Sequence, residues 1–274
     1  MRICALGWRA DAALRDSGGE TRVLAALSAS VYVEAGDELL WIGARDAALH
    51  ARAVLVAEAS TVVTMTQTGD SLRLPRASGL RPWRPDAVAA TRVSAAAMRD
   101  GAARLPALAT KLGEPRGFGA WLLRIPLTFP LEAARPHVDE LTAACTADDP
   151  ARAEAAAVML VGLGPGLTPA GDDFTGGVFF ARALLARAGV IDADGWAAAA
   201  SAVRTAARRL THRIGATLLG DLLVGEGWAP LHDLAAGLEQ GNDGATLAAA
   251  RRLVRLGHSS GWDLLAGFVA GARV

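Results

Sequence analysis

The sequence predicts an α+β protein: a β-rich N-terminal domain over residues 1–135, an antiparallel barrel or sandwich, followed by an alanine-rich helical domain over residues 136–274. Three observations carry this. Short runs rich in β-branched and aromatic residues fill Ser28 to Leu74, separated by Gly-Asp pairs. After Pro136 apolar residues recur at three- and four-residue spacing, with Gly, Asp, Ser or Thr at the run ends. At 274 residues, with 52% hydrophobic and 20% charged side chains, the chain exceeds one ordinary domain and has the balance of a globular protein.

In the first part, SVYVEA and ELLWIG flank Gly36-Asp37 and are expected to form a hairpin. ARAVLVAEA, STVVTMTQ and SLRLP follow as further strands, with a second turn at Gly69-Asp70. Pro75, Pro82 and Pro85 interrupt the pattern, a helical segment is expected from Asp86 to Leu112, and AWLLRIPLTFP reads as one more strand. In the second part the periodicity predicts eight helices, over His137–Ala147, Ala151–Leu163, Phe174–Ala188, Asp194–Leu210, His212–Val224, Pro230–Gln240, Ala245–Leu256 and Trp262–Ala272. Alanine's small side chain permits close helix approach, which accounts for its abundance there. No internal repeat is apparent.

Twenty-eight basic residues balance twenty-eight acidic ones, so no global field draws the chain to nucleic acid or an anionic membrane. Cys4 and Cys145 stand too far apart in sequence for a zinc or redox motif and are expected as free thiols. Arg9 and Asp11 interrupt the N-terminus before a signal-length apolar stretch accumulates, and no later run has membrane-spanning length. A cytoplasmic location is the expectation.

The chemistry concentrates in GLGPGLTPAGDDFTGG, Gly162 to Gly177. Glycine tolerates positive φ and lets the backbone approach a ligand, so the amides around Gly164, Gly166 and Gly171 can form an anion-binding nest, with Thr168 adding a hydroxyl. Asp172 and Asp173 precede the helix expected at Phe174, whose N-terminal amides favour negative charge. Adjacent carboxylates beside an anion suggest a bridging divalent cation, most naturally magnesium. The spacing fits neither a Walker loop nor a dinucleotide fingerprint, and the structural alternative is a tight turn with one aspartate as helix cap.

A second segment, GHSSGWDLLAG, spans Gly257 to Gly267. Ser260 and Asp263 have capping-box spacing, which explains that pair without a ligand; His258 and Ser259 are left as candidates for proton transfer and hydrogen bonding. His212 and Arg213 begin another helix, where a structural role is the simpler reading. Arg116, between glycines in EPRGFGAW, can reach a carboxylate or phosphate bidentately, with a hairpin turn as the alternative. No Gly-x-Ser-x-Gly elbow is present, which disfavours a serine hydrolase.

Together the two segments resemble the AllH-like proteins, a family named for one subunit of the bacterial oxamate carbamoyltransferase complex of anaerobic allantoin breakdown. The resemblance implies participation in purine catabolism, with oxalurate and phosphate giving oxamate and carbamoyl phosphate, and hetero-oligomeric partner subunits. All four compounds are small anions, which agrees with the loop. On that basis Gly164, Gly166, Thr168 and Gly171, with Arg116, are expected to hold substrate or phosphate, Asp172 and Asp173 magnesium, and His258 or Ser259 the reacting end. The competing readings are a noncatalytic scaffold or anion-sensing subunit, and a magnesium-dependent small-molecule kinase; Lys111, the single lysine, lies far from the loop in sequence, which weakens the last.

Overall fold

The computed structural model describes residues 1–77, 79–85 and 94–273. Its contacts divide into two compact units, Met1–Pro85 and Asp86–Val274, each with its own apolar core. The sequence reading extends the β-rich domain to residue 135, fifty residues further. The difference arises because the helix Ala95–Ala109 packs within the second unit: Gly101 sits against Leu238, where an added β-carbon would lie 2.8 Å from that side chain.

The first unit runs β1 (Ile3–Leu6), α1 (Trp8–Asp16), β2 (Glu20–Ala26), β3 (Val31–Ala35), β4 (Glu38–Ala44), β5 (Ala53–Val56), α2 (Ala59–Met65) and β6 (Ser71–Arg73). The described strands form one curled mixed sheet, a half-barrel in place of the closed barrel or sandwich, in the order β1-β5-β4-β3-β2-β6. All pairings are antiparallel except β4 with β5. The expected hairpin is present: Ala35 pairs with Glu38 across Gly36, whose φ of 59° requires a residue without a β-carbon penalty.

STVVTMTQ, expected as a strand, is the short helix α2. Its buried residues, Ala59 and Val62, are three apart, and the Thr64 and Thr66 hydroxyls donate to carbonyls four residues back, at 2.7 and 2.8 Å. Consequently Gly69-Asp70 leads into β6 beside β2 and closes no hairpin. The chain before Ser28, to which the sequence reading assigns no element, supplies β1, α1 and all of β2.

The second unit contains α3 (Ala95–Ala109), the single turn α4 (Gly119–Leu122), a 3₁₀ turn at Glu132–Ala134, then α5 (Arg135–Thr146), α6 (Pro150–Val158), α7 (Ala170–Arg187), α8 (Ala193–Leu210), α9 (Arg213–Leu222), α10 (Ala229–Glu239), α11 (Asp243–Leu253) and α12 (Ser260–Gly271). Residues 86–93 of the helix expected from Asp86 lie outside the described residues. All eight helices expected after Pro136 are present. The strand expected at AWLLRIPLTFP is absent: α4 ends where Ile125 N–H donates back to Ala120 O at 2.8 Å around Arg124, at φ 59°. Pro126 and Pro130 then remove donors that a sheet ladder would need.

α7 and α12 form the centre of this unit and are buried over nearly their whole length. Glycines let their backbones touch. A β-carbon at Gly267 would lie 2.0 Å from Phe174 O, and one at Gly177 would lie 2.3 Å from Leu264 O.

Candidate functional site

The α7–α12 contact is reciprocal, and the sequence carries the reason. Gly171-x-Asp173-Phe174-x-x-Gly177 in α7 repeats as Gly261-x-Asp263-Leu264-x-x-Gly267 in α12. The second, fifth and sixth positions of the seven-residue motif differ and the fourth is apolar in both, while the glycines at its ends and the aspartate are shared. The first glycine of each motif presses on the end of the preceding segment: added β-carbons would lie 1.8 Å from Leu160 O at Gly171 and 1.9 Å from Leu253 O at Gly261. The last glycine of each motif meets the carbonyl of the residue that follows the other motif's aspartate. Such mutual contact is the signature of a two-fold relationship, here local and within one chain. It makes Asp173 and Asp263 equivalent residues, one on each helix.

Both aspartates are buried, at 3% and 0% exposure, and the Oδ2 of each has no hydrogen-bond partner among the described residues. Asp263 Oδ1 accepts from Phe118 N–H at 2.6 Å. Gly117, at φ 53°, makes room for it, since a β-carbon there would lie 2.1 Å from the same oxygen. Burial holds the Asp173 carboxyl well above the usual range, and the neighbouring Asp263 charge pushes it further; the Ser260 and Thr168 hydroxyls act in the opposite sense. Burial likewise raises Asp263 to about 7, opposed by the Phe118 N–H and the Ser259 hydroxyl. Two desolvated like charges resist joint ionisation, so the pair is built to retain a proton.

Above this pair the Thr168 and Ser260 hydroxyls lie 3.0 Å apart, both half-buried. Beside them Arg116 Nη1 donates to His258 O at 3.1 Å and lies 3.4 Å from His258 Nδ1, and both side chains are exposed. The structure therefore brings Arg116, Thr168, Asp173, His258 and Ser259 to the junction of α7, α12 and the turn before α4. Gly166 is exposed at φ 94°, and its carbonyl lies 3.1 Å from His212 Nε2; Gly164, at φ 110°, precedes it. His212 also caps α9 through Gly215 N–H.

Other expected residues have structural employment. α7 begins at Ala170, so Asp172 and Asp173 lie inside its first turn and neither caps it. The amides of Gly171, Asp172 and Asp173 donate to Leu163 O and Pro169 O and are not open to a ligand. Gly171 is thus a packing glycine. Asp172 accepts from Gly162 N–H through Oδ1 and from Thr211 Oγ1 through Oδ2, each at 2.7 Å. Burial raises its pKa while those two bonds lower it.

Successive helical residues point about 100° apart, which is why Asp172 and Asp173 meet different partners. Among the described residues no group of three or more His, Cys, Asp or Glu side chains is placed to hold a metal ion. Sequence reasoning missed Ser260 and, with it, Asp263. Its capping-box explanation fails because the α12 N-cap is Ser259, without a side-chain cap bond, and Asp263 turns inward to Phe118 N–H. The repeated glycine-aspartate motif was the available signal.

No helix among the described residues is long and apolar enough to cross a membrane. No curated protein and no solved structure gives a significant match to the chain. Residues 160–272, which contain the glycine-rich loop and both copies of the motif, match the family model described as oxamate carbamoyltransferase subunit AllH, and this supports an AllH-like assignment of the chain.

Proposed function

We propose that this chain is a subunit of a carbamoyltransferase-type complex and carries at least part of its active site, acting on small anions as in the conversion of oxalurate and phosphate to oxamate and carbamoyl phosphate. The observation that carries the reading is the Asp173–Asp263 pair beneath the Thr168–Ser260 hydroxyls. In that reaction a phosphate oxygen attacks the carbamoyl carbon, the carbon–nitrogen bond to oxamate breaks, and the departing nitrogen takes up a proton. A carboxyl pair that keeps one proton at neutral pH can give it and later recover it.

In this scheme Arg116 and the two hydroxyls hold the anion, the exposed Gly164–Gly166 loop forms the rim, and His258 and Ser259 orient the reacting end. Magnesium would take the place of the shared proton, held by the ionised carboxylates of Asp173 and Asp263 instead of Asp172 and Asp173. That assignment follows if anion binding requires the cation.

Calorimetric titration of the purified chain with phosphate, carbamoyl phosphate and oxamate, each with and without magnesium, tests the reading. Binding of phosphate or carbamoyl phosphate that weakens in Thr168→Val and Arg116→Ala supports it. Silence toward all three ligands favours a scaffold whose activity resides on its partners.

A further inference from the structure

A second feature lies on the other half of α7. Phe179, Arg182 and Arg187 from α7 and Trp196, Ala197 and Arg204 from α8 line a cavity of about 370 Å³ that extends to Leu223 and Val224. This volume lies within the range of small-molecule sites. Arg182 is nine residues beyond Asp173, about 13 Å along the helix at 1.5 Å per residue, so the cavity is separate from the carboxyl pair.

Its wall is built rather than incidental. Arg182, 1% exposed, lies over the Trp196 ring at 4.3 Å and donates to Asp148 Oδ1 at 2.7 Å and to Arg273 O at 2.7 Å. Asp148 Oδ1 also accepts from Trp196 Nε1 at 2.7 Å, so one carboxylate outside the cavity fixes both wall residues. Phe179 meets Trp196 edge-on at 5.7 Å. Arg187 donates to Val224 O. The Nε atoms of Arg182 and Arg204 are buried without a hydrogen-bond partner among the described residues.

Three arginines and no carboxylate are among the lining residues; Asp148 neutralises Arg182 alone, which leaves the cavity positive through Arg187 and Arg204. An anionic group supplies the ion-pair partner that Arg187 and Arg204 lack among the described residues. The remaining wall is aromatic and aliphatic, suited to a flat apolar body. We infer that the α7–α8 cavity is a binding site for an organic anion with a flat apolar ring, its anionic group directed to the arginines and its ring against Trp196 and Phe179.

The test is fluorescence titration of the full-length chain with 8-anilinonaphthalene-1-sulfonate, beside its uncharged analogue N-phenyl-1-naphthylamine. Saturable one-to-one binding of the sulfonate is expected, at least tenfold tighter than the analogue. Arg204→Ala is expected to weaken it tenfold or more, and Ala197→Phe, which fills the cavity while keeping every charge, to abolish it. Circular dichroism melts establish that each variant is folded, and Arg204→Gln serves if Arg204→Ala is not. No binding to the wild-type chain, equal affinity for the neutral analogue, or sulfonate binding unchanged in folded Ala197→Phe each overturns the inference.

Discussion

Thr168 Oγ1 and Ser260 Oγ lie 3.0 Å apart, one in the loop that precedes α7 and the other at the first position of α12. Ninety-two residues separate them in sequence, and the two-fold packing of α7 on α12 brings them together above Asp173 and Asp263. Hydroxyls at this place can bond to each other, to a carboxyl below or to an anion above. Replacement of either is therefore expected to act on binding more than on folding. Thr168→Val and Ser260→Ala are each expected to lower phosphate affinity by about tenfold, which corresponds to about 1.4 kcal/mol. Calorimetry provides the measurement.

Arg116 is exposed, so its removal costs little packing. Arg116→Ala is expected to leave the melting temperature within about 1 °C, the effect of a neutral surface change, while reducing phosphate or carbamoyl phosphate affinity about 10- to 100-fold through loss of a charge-assisted contact. Equal affinity in variant and wild type would remove Arg116 from the site.

For Asp263 the sign follows from burial. Its carboxyl titrates at about 7 in the folded chain and near 4 in an unfolded one. The folded state binds this proton more tightly, so the stabilisation is complete below about pH 4 and is lost as pH rises toward 7. Asp263→Asn keeps the acceptor for Phe118 N–H and removes the charge. The variant is expected to match wild type near pH 4 and to be more stable at pH 8, by up to about 4 kcal/mol, and to lack transfer activity. Thermal melts at intervals from pH 4 to 8 check this; a difference that shrinks with rising pH contradicts the buried pair.

Asp172 should behave in the opposite way. Asp172→Ala leaves Gly162 N–H and Thr211 Oγ1 without their acceptor and is expected to destabilise the chain by about 2–4 kcal/mol in urea unfolding. Asp173→Asn is expected to preserve or increase stability. Equal losses at the two neighbouring positions would contradict the division of labour between them.

Two glycines give a packing contrast. Gly267→Ala drives a β-carbon toward Phe174 O and is expected to cost about 1–3 kcal/mol. Gly220, in α9, has nothing within 4 Å of the place a β-carbon would take, so Gly220→Ala is expected to stabilise by about 0.5–1 kcal/mol through helix propensity. Denaturant midpoints distinguish the two outcomes.

The helical half was legible in the sequence because its signal is local. Apolar spacing and end punctuation identify each of the eight helices after Pro136, and both candidate segments stand out through glycine content. STVVTMTQ and AWLLRIPLTFP were misread because β-branched and aromatic residues mark strands only where a partner strand accepts them. Threonine back-bonding at Thr64 and Thr66 and the prolines at 126 and 130 proved stronger. The internal repeat was hidden by its length, since a seven-residue motif with four matching or similar positions produces no visible period.

The sequence alone thus determined the α+β class and the two glycine-rich segments, and it marked Arg116, Thr168, Asp173 and His258, which the fold brings to one junction. Only the tertiary structure decided that Asp172 is a bracing residue while Asp173 faces Asp263. Side chains one position apart on a helix diverge by about 100°, and which of them meets ligand, backbone or another carboxylate depends on the helix packed opposite. That helix, α12, lies some ninety residues away along the chain, beyond the reach of any local pattern.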